Sequence, residues 1–196
     1  MLKAGLFEVY SGLVEPGSLR RLQAEAQAAR AGAIEAYVVE DRAAEWRGGL
    51  PARAFLTSPG GPVQDAFYRA DWLAGILSRL TGHACAPTAG RGTFNYYARP
   101  GDHLALHRDV EGCDVAVITC LKRRGTHLAG GGQLLLYPEC AGLPLTAARR
   151  RGAAATPVDL AEGQTVIMLG GEVPHRLLPL GGGQERAVSV LCFKFL

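Results

Sequence analysis

The sequence predicts an α+β chain in which two amphipathic helices precede a series of short strands that closes as a β-sandwich or barrel. Three observations carry that expectation. Apolar residues return at three- and four-residue intervals in two segments before Gly82. After Gly92 the pattern changes to β-branched, aromatic and aliphatic runs of five to nine residues punctuated by Gly and Pro. Finally, 196 residues, 48% of them hydrophobic and 20% charged, suffice for one core and would be cramped as two, which predicts a single domain over 1–196. Helices first and strands afterwards define the class.

Pro16-Gly17-Ser18 opens the first helix, and Leu19, Leu22, Ala26 and Ala29 keep its apolar spacing until Gly32 ends it. An early strand follows at Ile34 to Val39. The second helix spans Pro62 to Leu80, with Phe67, Trp72, Leu73, Ile76, Leu77 and Leu80 on its apolar face and Gly82 as its stop. The strands are then Thr93 to Ala98, Leu104 to Asp109, Val115 to Leu121, Gln133 to Tyr137, Thr165 to Leu169 and Ala187 to Phe195. Thr146 to Thr156, rich in Ala and Arg, is a helical turn or a mobile loop. This assigns residues up to about 90 to helical support and 91–196 to the β core.

The net charge of +3 is mild and comes partly from two short clusters, Lys122-Arg123-Arg124 and Arg149-Arg150-Arg151. Solvated loop charge is the simpler account of both, and nothing in them calls for a nucleic-acid partner. Five scattered cysteines, Cys85, Cys113, Cys120, Cys140 and Cys192, have no C-x-x-C spacing, so the expectation is reduced thiols in a cytoplasmic protein. No window has the apolar length of a signal peptide or a membrane span.

His107 and Asp109 lie two positions apart in a predicted strand, whose period of two sends both side chains to one face. That spacing fits a shared metal ion, a catalytic dyad or a surface pair. His175 adds a third donor 66 residues later, just past the apolar run ending at Leu169, where a returning strand can bring it alongside. Two imidazoles and one carboxylate leave positions open on an octahedral iron(II), although the same donors also occur in hydrolytic zinc sites. Arg186, eleven residues after His175 and at the entry to the last strand, offers a planar fork for a carboxylate.

In their order these motifs resemble those of the 2-oxoglutarate and iron(II)-dependent oxygenases, particularly the prolyl-hydroxylase-like branch. Asn95-Tyr96-Tyr97-Ala98-Arg99-Pro100-Gly101-Asp102-His103 looks like the family's strand and turn before the first ligand, and His107-Arg108-Asp109 like its H-x-D. Gly131-Gly132-Gln133-Leu134 is similar to its G-G-x-L strand, and Gly163 to Leu169 to the strand before the distal histidine. The resemblance covers roughly Thr93 to Phe195. It implies a double-stranded β-helix (jelly-roll) core, with His107, Asp109 and His175 as iron ligands and Arg186 as the 2-oxoglutarate anchor. It further implies Tyr97 as a hydrogen-bond partner of that co-substrate, with Asn95 and Thr119 on flanking strands as further co-substrate candidates. The activity implied is a dioxygenase reaction: Fe(II), 2-oxoglutarate and O2 hydroxylate an unactivated C–H bond of a small molecule, such as an amino acid or natural-product scaffold, releasing succinate and CO2.

Some relatives carry a serine two residues after the anchor, where this chain has Val188; Ser189, one further on, would face away from Arg186 on a regular strand. The presence of Asp109 favours hydroxylation over halogenation. Oxidative nucleic-acid demethylation is a rival, weakened because Val188 stands where that branch has asparagine; a cupin-like metal protein or isomerase is another. Loops at Trp46 to Pro59, Cys113-Asp114, Lys122 to His127 and Leu143 to Thr156 are the expected seat of specificity, and Arg108 and Arg176 are expected to face away from the ligands.

Overall fold

The computed structural model describes residues 6–38, 51–88, 90–125, 131–150 and 154–196. The chain opens with β1 (Phe7–Ser11), then α1 (Pro16–Ala29), which places Pro16 in its first turn, where a missing N–H costs nothing, and buries Leu22 and Ala26. A 3-10 turn at Arg30–Gly32 leads into β2 (Ile34–Val38). Next comes β3 (Arg53–Pro59), a strand where a specificity loop was expected; the first part of that segment, 46–50, lies outside the described residues.

The predicted second helix is two. α2 (Pro62–Tyr68) stops at Arg69, and extended Ala70 starts α3 (Asp71–Thr81), so the apolar face is re-aimed between Phe67 and Trp72. Glu25 of α1 accepts the N–H groups of Val63 and Gln64 at 2.7 and 2.9 Å, placing a carboxylate on the positive end of α2. Gly82 ends α3 in the left-handed region (φ 76°), returning its N–H to Ser78 as the sequence predicts.

The remaining elements are β4 (Cys85–Pro87), β5 (Thr93–Tyr97), β6 (His103–His107), β7 (Val115–Arg124), β8 (Leu134–Leu136), α4 (Leu145–Arg150), β9 (Thr156–Val158), β10 (Gln164–Met168), β11 (His175–Leu177) and β12 (Glu185–Phe195). The Ala- and Arg-rich segment thus starts as the expected helical turn and, beyond residues 151–153, ends in a strand that was not foreseen. Among the described residues, twelve strands make one antiparallel sheet in the order β1-β10-β7-β12-β5-β3-β6-β11-β8-β9, with β2 on β3 and β4 on β12.

The sheet curls over at β3, which pairs with β5 through Leu56 to Pro59 and with β6 through Arg53 and Ala54. This is a double-stranded β-helix core of the α+β class. The helical and β portions do not divide at residue 90, because β1 to β4 come from the N-terminal part and β3 sits mid-sheet. Those strands are short and poorly alternating, and tertiary pairing rather than local pattern makes them strands.

Inside the curl, Phe55, Tyr97, Ala116, Cys120, Leu136, Val166, Met168 and Val188 belong to one apolar cluster. The outer face is covered by helices: Leu22 and Ala26 pack with Phe94, Tyr96 and Leu121, and Leu73 and Leu77 with Val115, Ile167 and Phe193. No described helix is long and apolar enough to cross a membrane.

The expectation that all five thiols are reduced is overturned at one pair. Cys113 and Cys192 form a disulfide across 79 residues, while Cys85, Cys120 and Cys140 are buried and free. Sequence spacing carries no trace of the pairing because the sheet creates it: Cys192 sits in the β7–β12 ladder opposite Ala116, and Cys113, two residues before β7, comes within 4.9 Å of it, Cα to Cα. With that bond, the cysteine pattern no longer argues for a reducing compartment. A cross-link over so long a loop restricts the unfolded chain, so Cys113→Ala should lose about 2–4 kcal/mol of unfolding free energy. Urea titrations should show this loss without reductant and a much smaller one with it.

Candidate metal and co-substrate site

The site begins with a cross-strand pair. β11 places His175 directly opposite His107 of β6, with a register irregularity one step further along, and the two rings stand 4.2 Å apart, centroid to centroid. Asp109 reaches them differently from the sequence expectation. β6 ends at His107, so no strand period carries Asp109 to the same face; the chain turns instead, and the Asp109 N–H donates to the Gly170 carbonyl at 2.9 Å. This bond draws the loop onto the segment before β11. Asp109 Oδ1 then lies 3.8 Å from His107 Nε2 and 3.6 Å from His175 Nε2, and the three donor atoms fall within 4.8 Å of one another.

Gly170 makes this approach possible. A Cβ there would stand 1.9 Å from Asp109 Oδ2, a contact no side chain tolerates. The sequence carries no signal of this role, because the contact is made only when the fold brings Asp109 alongside.

Each imidazole is oriented by its own backbone: His107 Nδ1 lies 2.8 Å from the Ala105 carbonyl and His175 Nδ1 2.9 Å from that of Val173. A carbonyl can only accept, so both Nδ1 atoms carry the proton and both Nε2 atoms point at Asp109 as potential donors to a cation. Burial first, and then the charge of His175, push His107 down to about 3. Burial opposes the charge on His175 and Asp109 alike. Their mutual attraction outweighs it, raising His175 above the usual imidazole range and holding Asp109 below the usual carboxylate range. Asp109 Oδ2 is buried without a hydrogen-bond partner. Two neutral-capable nitrogens, one carboxylate and an uncompensated oxygen suit a divalent metal of the kind that accepts N and O donors.

These residues open into a cavity of about 210 Å³ whose walls include Phe55, Leu104, Ile118, Leu134, Leu160, Leu177, Val188 and Val190. Arg186 lines it, 98% buried, paired through Nη2 with Asp159 Oδ1 at 3.1 Å and with its Nε lacking a partner. Burial lowers its pKa, as expected for a cation removed from water. Tyr97 stands opposite Arg186 in the β5–β12 ladder, its ring against Phe55 at 4.9 Å and its hydroxyl without a hydrogen bond to the described residues. Burial raises its phenol far above the ordinary value, so it remains a neutral donor. Asn95 also lines the cavity, its Oδ1 accepting from Thr57 at 2.8 Å. An anion with one end among the metal donors and the other at Arg186 would meet the orphaned Nε and the free phenol.

Thr119 lies elsewhere. Its hydroxyl meets Thr165 at 2.9 Å on the opposite face of β7 from Ile118, which lines the cavity. Ser189 likewise turns outward, accepting from Gln64 Nε2 at 2.7 Å, as strand alternation after Arg186 requires. Arg123 is not solvated loop charge. β7 carries a bulge opposite Ala187 and Val188 that sets Arg123 across from Arg186, and its Nη2 lies 2.5 Å from Asp159 Oδ2. Two arginines thus share one carboxylate, and neither Asp159 nor the bulge has a sequence signal beyond a lone acid in an apolar stretch. Arg108 is buried rather than superficial and holds the carbonyls of Glu172 (2.7 Å), Cys140 (2.8 Å) and Leu143. Arg176, as expected, faces away, over the Tyr137 ring at 5.8 Å.

No family model and no curated protein matches the chain. Solved structures do. A Pseudomonas putida prolyl-4-hydroxylase aligns with TM-score 0.67 and 19% identity over 100% of this chain and 95% of its own. The epimerase SnoN in complex with Fe3+, alpha ketoglutarate and nogalamycin RO aligns with TM-score 0.73 and 12% identity, covering 98% of this chain and 80% of that one. A 2OG-Fe(II) oxygenase family oxidoreductase from Burkholderia pseudomallei aligns with TM-score 0.64 and 12% identity, covering 98% and 86%. The chain therefore has the fold of these proteins, the one the sequence motifs imply.

Two outcomes follow for the bare site. Gly170→Ala should displace Asp109 and weaken Mn(II) or Co(II) binding about 10–100-fold in calorimetric titration while leaving the circular dichroism spectrum unchanged. Because His175 keeps its proton to a higher pH than a free imidazole and His107 is neutral throughout, one proton competes with the metal. Affinity should fall about tenfold per pH unit on acidification, beginning above the ordinary imidazole range.

Proposed function

We propose that this chain is an O2- and 2-oxoglutarate-dependent iron(II) oxygenase that hydroxylates an unactivated C–H bond of a small molecule. The observation that carries the proposal is the joint placement, in one apolar cavity, of the His107–Asp109–His175 donor set and a buried arginine with an uncommitted N–H. His107, Asp109 and His175 would hold the metal, and Arg186 and Tyr97 the far carboxylate of 2-oxoglutarate. Bound together, iron and 2-oxoglutarate supply an oxidant for C–H hydroxylation, at the expense of O2 and of the co-substrate's conversion to succinate and CO2.

The chain's own part is positional. The backbone bonds at both Nδ1 atoms fix the imidazoles before any ligand arrives, so little reorganisation accompanies binding. Asp159 holds the Arg186 guanidinium through Nη2 and leaves Nε buried without a partner. Apolar walls at Ile118, Leu134, Leu160 and Val190 exclude water, which strengthens the charge-assisted bonds at Arg186 and protects a reactive oxidant from quenching. Asn95 is retained as a lining residue of the co-substrate side, and Thr119 is withdrawn from it. A small-molecule substrate fits the cavity volume and its apolar lining; like SnoN, which was solved with nogalamycin RO, the chain would admit a compact scaffold. A co-substrate from central metabolism favours the cytoplasm, and the Cys113–Cys192 bond weighs against it.

The test is anaerobic. Wild-type protein with Fe(II) and 2-oxoglutarate should develop the weak visible charge-transfer band of a chelate, absent in His107→Ala. In Arg186→Ala the band should require about 100-fold more 2-oxoglutarate, since a buried charge-assisted contact contributes up to about 3 kcal/mol. Folded, iron-loaded wild type without the band would overturn the proposal in favour of a cupin-like metal protein.

A further inference from the structure

The cavity holds a cation that neither the metal nor 2-oxoglutarate accounts for. Three arginines line it, and among the lining residues Asp109 is the only carboxylate. Arg186 is matched by Asp159, and Arg108 is locked onto backbone carbonyls of Glu172, Cys140 and Leu143. Arg53 has no such tie. Among the described residues its side chain makes one hydrogen bond, from Nε to the Pro51 carbonyl two residues back at 3.3 Å, and no carboxylate of them lies within ion-pair distance.

Its position is built into the sheet. Arg53 opens β3 opposite Leu104 of β6, two residues before Phe55, and so shares the inward face with the ring that packs on Tyr97. The side chain is half-buried among Pro51, Leu104 and Phe55. A cation set partly out of water against apolar groups, with no counter-charge among the described residues, carries a desolvation cost that an anionic ligand would offset. Guanidinium geometry selects a planar carboxylate, which it can hold through two parallel bonds.

Resting on the oxygenase function proposed above, we propose that Arg53 is the substrate-recognition residue and binds a carboxylate of the primary substrate, which is therefore a small organic acid with an apolar body. Both carboxylates of 2-oxoglutarate are already placed, one toward the metal donors and one at Arg186, so the Arg53 ligand must come from the second substrate. The apolar body lies against Phe55, Leu104, Leu177 and Val110, and the tether at Arg53 determines which carbon is presented to the metal donors.

The experiment uses the full chain loaded with Zn(II) and saturating 2-oxoglutarate, with ligand binding read by saturation-transfer NMR. The probes are isobutyrate, cyclopentanecarboxylate and phenylacetate, each beside its primary amide. At least one acid should bind wild type about tenfold or more tightly than its amide, the scale expected when a site built for a charged partner meets a neutral analogue. Arg53→Gln should abolish that preference, and Arg53→Lys should retain part of it. Arg53→Gln should leave 2-oxoglutarate affinity unchanged. No acid binding to wild type, equal binding of acid and amide, a preference that survives Arg53→Gln, or a large loss of 2-oxoglutarate affinity in that variant would each overturn the assignment. If 2-oxoglutarate itself fails to bind, the oxygenase proposal falls. The acid–amide comparison, repeated without it in wild type and Arg53→Gln, then still decides whether Arg53 is an anion site.

Discussion

The pairing of β11 with β6 is the contact on which the site depends. It is a short ladder, yet it sets His175 against His107 and thereby fixes where a cation can sit. A one-residue slip of β11 would turn His175 to the outer face, and Leu177 resists that slip because it would be exposed with it. Asp109 is added by a single backbone bond to Gly170, outside any strand. The donor set is thus a product of sheet register and one loop closure.

The opposite wall is organised by charge. Arg123 and Arg186 would repel each other across the β7–β12 ladder if Asp159 did not lie between them, and the bulge in β7 is what brings Arg123 round to that side. Two guanidiniums on the one side share a single carboxylate, and on the far strand Arg53 has no carboxylate of the described residues within ion-pair distance.

Much of the fold was legible because long elements carry their own periodicity. The first helix, the stop at Gly82 and the apolar strands β5, β7, β10 and β12 follow from residue pattern within a residue or three. Strands without such a pattern were not: β1, β3, β4 and β9 owe their conformation to partners far away in sequence. The same divide runs through the site. His107, Asp109, His175 and Arg186 were readable as candidates from residue type and order, and Tyr97 only from the family resemblance. Arg53 was hidden inside a supposed loop, and Asp159 and Gly170 act only through neighbours that the folded sheet supplies. Thr119 failed for a plain reason: alternation along β7 gives the cavity to Ile118.

The disulfide closes a covalent ring from Cys113 to Cys192, and this ring contains β7, α4, His175 and Arg186. His107 and Asp109 lie a few residues upstream of the point of closure. A single backbone cut anywhere inside the ring would leave one covalent molecule, with both parts of the donor set still tethered to the same pair of sulfurs. Surface loops within the ring can therefore lengthen, shorten or be nicked at little risk to the geometry they surround, which gives evolution latitude to reshape the mouth of the cavity around an unchanged centre.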